Sequence, residues 1–166
     1  MMKKTVGFIV KAAMIAAIYA VLTLAVSPIG YGSIQFRISE VMILFAAVTP
    51  AAIPGLTVGC ILANLGSPFG IADILLGSFA SLLAALFAYY TRNIRIKNIP
   101  WLAPLGAVVF NGLIVSLSIM LASGSDFIYW LSVAEISVCE LIPCYVLGIP
   151  LWIALEKSGF NRMLSK

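Results

Sequence analysis

The chain has 166 residues, of which 63% are hydrophobic and 10% charged, with a net charge of +4 and a mean hydropathy of +1.13. Soluble domains hold roughly 45–50% apolar residues, so this composition excludes a soluble globular domain and describes a membrane protein with room for about six helical spans of roughly 20 residues. Most of the ten bases sit at the chain ends and in one short segment, a pattern of membrane topology rather than of a nucleic-acid surface, and the absence of histidine removes zinc-protease motifs and Ser-His or Cys-His couples.

The first apolar run, Val6–Val26, follows MMKK. It exceeds the roughly 7–15 residues of a signal-peptide core and reads as a retained span. Within it, AAMIAAIYA (12–20) places Ala12, Ala16 and Ala20 at every fourth position, with Ala13 and Ala17 one step round. Small residues at that spacing let another helix approach closely, either inside the bundle or on a separate subunit. Lys11 lies near the end of this span, where its charge snorkels to water.

The second and third runs, Ile34–Val48 and Ala51–Leu65, have 15 residues each. As α-helices they would cover about 22 Å of a hydrocarbon core about 30 Å thick. Pro50 and Pro54, with Gly55 beside them, prevent their fusion into one long helix. The remaining runs are Ile71–Tyr90, Trp101–Ala122 and Leu131–Leu155.

Charge bias gives an independent check on the number of crossings. With six crossings and a cytoplasmic N-terminus, Lys3, Lys4, Arg92, Arg95, Lys97, Lys157, Arg162 and Lys166 all fall on the cytoplasmic side, eight of the ten bases. Six spans, or four with a re-entrant hairpin, satisfy this. The predicted fold is an all-α integral membrane protein: one domain, residues 1–166, forming a bundle of six transmembrane helices with both termini cytoplasmic. The outward loops 27–32, 66–70 and 123–130 then carry Tyr31, Phe69, Phe127, Tyr129 and Trp130, at a depth where aromatic rings anchor a protein to the interface.

Ionisable groups inside spans are costly and point to function. The candidate binding residues are Arg37, Glu40, Asp73, Glu135 and Glu140, with the neutral amides Gln35, Asn64 and Asn111. Arg37 and Glu40, three apart, are neighbours on one face of a helix and neutralise each other there. Asp73 opens the fourth span, where a helix dipole stabilises a carboxylate, and Asn64 closes the third as a cap or a pocket donor. Asn111 falls near the middle of a span and must face the bundle interior, on another helix or on a ligand.

In SVAEISVCELIPCYVLGIP (132–150), Glu135 and Glu140 are about 140° apart around a helix and point to different faces. Pro143 removes the amide that would bond the Cys139 carbonyl, leaving an acceptor and a kink beside Glu140. The acids outnumber the non-snorkelling base, so a ligand rich in N–H donors, or a cationic amine, would complement them. No G-x-x-x-x-G-K-[ST] loop occurs, so the chain does not hydrolyse ATP itself. The odd set Cys60, Cys139 and Cys144 fits small core residues rather than a metal site, and no cofactor is expected.

GSIQFRISE (32–40), TPAAIPGLTVGCILANL (49–65), DILLGSFASLLAA (73–85), WLAPLGAVVFNGLIV (101–115) and ELIPCYVLGIPL (140–151) resemble the QueT family of queuosine-precursor transporters, substrate-binding S components of energy-coupling factor (ECF) transporters. The resemblance implies a six-helix bundle in the cytoplasmic membrane, a transmembrane coupling subunit and two ATP-binding subunits as partners. It also implies docking through Ala12, Ala16 and Ala20, a gate formed by residues 27 to 36, and a small-molecule substrate of the 7-deazaguanine class such as preQ0 or preQ1. An S component for another vitamin, such as riboflavin or thiamine, a stand-alone secondary transporter and a structural membrane subunit are the alternatives, since fold alone does not fix the ligand.

Overall fold

The computed structural model describes residues 2–26, 36–123, 128–159 and 164. Gln35, most of the expected gate at 27–36 and loop positions 124–127 lie outside the described residues. The described chain is all helical and forms no strand.

Six helical elements follow in order. α1 is Met2–Ala25, α2 is a 3₁₀ helix, Ile38–Ala47, α3 is Ala52–Asn64 and α4 is Gly70–Thr91. α5 runs from Leu105–Phe110 through a π-helical turn, Asn111–Val115, into Ser116–Ser123. α6 has the same construction: Tyr129–Leu141, a π-helical stretch Ile142–Leu147, then Gly148–Lys157.

Four stretches are long and apolar enough to cross a membrane: Thr5–Ala25, Gly70–Thr91, Leu105–Ala122 and Tyr129–Lys157. The two shorter apolar helices are α2 and α3, with 10 and 13 residues. The 3₁₀ winding gives α2 a rise of about 2.0 Å per residue, so its ten residues extend about 20 Å, as far as the thirteen α-helical residues of α3. Pro50 separates the two, and Pro54 falls in the first turn of α3, where a missing N–H breaks no helical bond.

α2 occupies the interior. Eight of its ten residues are buried, and it touches α1, α3, α4 and α6. The expected start of the fifth span at Trp101 is corrected to Leu105: residues 101–104 turn instead, because Pro104 disfavours helical backbone in the residue before it.

α1 and α3 meet backbone to backbone. A Cβ at Gly55 would lie 2.9 Å from the Ala12 carbonyl oxygen, and one at Gly59 would lie 2.9 Å from that of Ala16. Ala16 and Ala20 are buried and Ala12 is half-buried. The stripe expected as a docking surface is therefore used inside the bundle, because α3 supplies glycines opposite it. Ala13 and Ala17 are exposed on α1, set among the exposed Met14, Ile18 and Val21.

Lys11 Nζ donates to the Leu164 carbonyl at 2.8 Å, so the beginning of α1 and the end of the chain lie together. Phe69, expected as an interface anchor, instead packs against a core cluster of Ala80, Val115, Ile119 and Ile136. Trp130 is exposed, as an anchor would be.

Candidate functional site

All six elements send polar side chains into the interior, where they meet as two adjoining clusters. The first surrounds Asp73 in the opening turn of α4. Its carboxylate accepts from Ser67 Oγ at 2.6 Å and from Ser118 Oγ at 3.3 Å, and forms an ion pair with Arg37 at 3.4 Å, both side chains being almost wholly buried. Asn64 Nδ2 donates to the Asp73 carbonyl at 3.0 Å and lies 3.5 Å from Cys60 Sγ. The buried Asn64 Oδ1 has no partner among the described residues, an acceptor that carries a desolvation cost unless a donor meets it.

The ion pair departs from the sequence expectation. Arg37 stands just before α2 with extended backbone, φ −118° and ψ 101°, so the spacing of three that links it to Glu40 on a helix face does not apply. Its guanidinium reaches across to Asp73, while Glu40 takes the hydroxyl of Tyr19. The Asp73 carboxylate, with two hydroxyls and a guanidinium, is the best satisfied acid of the interior.

The second cluster joins α2, α5 and α6. Asn111 Nδ2 donates to Glu140 Oε1 at 3.2 Å, and the same amide also engages Glu40. Cys144 Sγ lies 3.8 Å from Glu140 Oε2 and 3.9 Å from the Glu40 carbonyl. Glu40, Asn111 and Glu140 are all buried. Thr23 Oγ1 is bonded to the Tyr19 carbonyl at 2.9 Å and lies 2.7 Å from Ser39 Oγ, which ties α1 to α2 beside this cluster.

The two π-helical turns account for the placement of this second cluster. Asn111 opens one, and Glu140 stands two residues before the other. In the second, Pro143 has no N–H to give the Cys139 carbonyl, and the ladder re-forms with a wider step, the Gly148 N–H bonding the Pro143 carbonyl. The kink expected from Pro143 is thus taken up as a π turn, a distortion frequent at functional sites. Gly112 faces α6 here, and a Cβ on it would displace the Ser137 hydroxyl.

Of the candidate residues, Glu40, Arg37, Asn64, Asp73, Asn111 and Glu140 converge in the interior. Glu135 does not: it is exposed on the outer face of α6, in keeping with its angle from Glu140. Gln35 lies outside the described residues. Sequence reasoning missed Tyr19, Ser67, Ser118 and Cys144. The readable signals were a lone hydroxyl-bearing ring within the alanine-rich stripe of α1 and two serines, Ser116 and Ser118, in an otherwise apolar run. Among the described residues the hydrogen-bonding partners of the two buried acids Glu40 and Glu140 are one amide, one thiol and one phenol, and the nearby Arg37 charge is shared with Asp73. Such a place suits a ligand that brings N–H donors or positive charge.

A family model described as QueT transporter matches residues 9–157. The curated protein "Queuosine precursor transporter QueT" of Lactococcus lactis subsp. cremoris (strain MG1363) is 38% identical over 85 residues, covering 49% of this chain and 50% of the relative. The chain thus spans about half the length of that curated relative. No solved structure matches. The matched family is one of transporters, not enzymes. With helices of membrane-crossing length around a buried polar interior, and a match running over nearly all its residues, the chain belongs to the QueT transporter family.

Proposed function

We propose that the chain is the membrane-embedded substrate-binding subunit of an ECF-type, ATP-driven importer, taking up a queuosine precursor of the 7-deazaguanine class. The observation that carries this reading is the convergence of Glu40, Glu140 and Asn111 between two π turns, buried from all sides. A carboxylate there accepts two parallel N–H bonds from a guanine-like edge, which supplies energy and orientation together. A cationic aminomethyl substituent would neutralise the second acid. The relative's name supports the same ligand class.

In this reading all six elements cross or enter the cytoplasmic membrane, with both termini cytoplasmic and residues 27–36 closing over the ligand. The contact between Lys11 and Leu164 supports an even number of crossings. The chain has no phosphate-binding loop, so the energy would come from two ATP-binding partners through a coupling subunit. Uptake of a radiolabelled 7-deazaguanine by cells expressing this chain tests the assignment. Accumulation should require co-expressed coupling and ATP-binding subunits and, at low substrate concentration, should fall at least about tenfold for Glu140→Gln. Accumulation by the chain alone would overturn the importer reading in favour of a stand-alone carrier.

A further inference from the structure

At the end of α4 away from Asp73, a cleft of about 300 Å³ opens between the connection 92–104 and the last turns of α6. Ile99, Trp152 and Ile153 give it an apolar lining, to which Lys97 and Lys157 add charge. Trp152 Nε1 donates to the Asn98 carbonyl at 3.1 Å, pinning the connection onto α6. Ile96 and Ile99 exchange backbone bonds of 3.0 and 3.1 Å. Lys97 and Asn98 between them are held at φ 52° and 63°, backbone that lysine rarely adopts. The Arg95 guanidinium lies 5.6 Å from the centre of the Trp152 ring. Among the described residues the cleft and its rim thus gather the cations Lys97, Lys157 and Arg95 and the carboxylate Glu156, and neither lysine has an ion-pair partner there.

We propose that this cleft binds an anionic phospholipid, with the phosphate between Lys97 and Lys157 and an acyl chain along Ile153 and the lipid-facing side of α6. In this proposal the bilayer boundary runs past this point. Tyr90 and Trp101 are exposed here at the ends of the spans, and Ile94 and Ile96 expose more than half their surface in the connection, a mixture of aromatic, apolar and basic groups suited to the headgroup layer. An apolar lining offers nothing to a free phosphate, and paired lysines gain less from a zwitterionic headgroup, whose own cation offsets its phosphate. Basic pockets at helix ends are where acidic headgroups settle.

Native mass spectrometry of the detergent-purified chain, titrated with phosphatidylglycerol and separately with phosphatidylcholine, tests the proposal. Phosphatidylglycerol should bind at least tenfold tighter, and Lys97→Gln with Lys157→Gln together should weaken it about tenfold or more. Arg92→Gln, whose guanidinium sits over Tyr89 outside the cleft, should leave it within twofold. Equal binding of the two lipids would overturn the proposal. So would indifference to the lysine pair, or displacement by millimolar inorganic phosphate as effective as that by a competing anionic lipid.

Discussion

Breaking the Arg37–Asp73 pair should cost far more than its 3.4 Å separation suggests. Both side chains are shut off from solvent, at 4% and 0% exposure. Arg37→Met would leave a buried carboxylate with two hydroxyl partners and no cation. Removing one member of a buried pair costs about 3–5 kcal/mol, because the other charge stays behind, whereas replacing both with apolar groups of similar volume is often neutral. For a chain of this length, about 2–4 °C accompanies each kcal/mol. Arg37→Met and Asp73→Leu should each lower the apparent melting temperature in detergent by on the order of 10 °C, and the double variant should recover most of the loss. A coupling of several kcal/mol between the two positions follows from the geometry. Single-variant losses under about 1 kcal/mol that simply add would refute the reasoning and place the pair among weak, solvated contacts.

Glu140→Gln should weaken binding of a 7-deazaguanine by about 10- to 150-fold in calorimetry, the worth of one charge-assisted hydrogen bond, while Glu135→Gln should leave it within about twofold because Glu135 faces outward. Gly59→Leu should separate α1 from α3, since its first added carbon already lies 2.9 Å from the Ala16 carbonyl and from Tyr19. The expected outcome is a destabilised protein with weakened ligand binding, measured by melting in detergent and by calorimetry. Cys60 and Cys144, both buried, should resist thiol alkylation until denaturant is added. Early labelling of either, read by peptide mass spectrometry, would contradict the packing.

Much of this architecture was readable from the chain, and the parts that were not have physical causes. α1, α4 and α6 lie within a few residues of their apolar runs because long uninterrupted hydrophobic stretches leave little choice but helix. The Pro50–Pro54 break was visible for the same reason, as proline acts locally. The 3₁₀ winding of α2 was not legible: a run buried almost throughout carries no periodicity from which to tell one helix type from another. Nor was the partner of Arg37 legible. Its separation from Asp73 along the chain is 36 residues, and the choice between Asp73 and Glu40 depends on the extended backbone at Arg37.

The alanine stripe shows the same limit from another side. Ala12, Ala16 and Ala20 announce a close helix approach, and one occurs. Which helix fills it depends on Gly55 and Gly59, whose pairing with the stripe is a tertiary fact. Around Glu140, Pro143 signalled a disturbed backbone, but the matching π turn at Asn111 has no proline to mark it. The bond between Asn111 and Glu140 follows from the two turns together.

The most direct test of the account is to identify the small molecule released from the detergent-purified protein by mass spectrometry and then titrate the emptied protein with preQ0, preQ1, riboflavin and thiamine. The account predicts a 7-deazaguanine that binds tightly to the native chain and weakly to Glu140→Gln. Tight binding of riboflavin or thiamine instead, or 7-deazaguanine binding indifferent to Glu140, would contradict it.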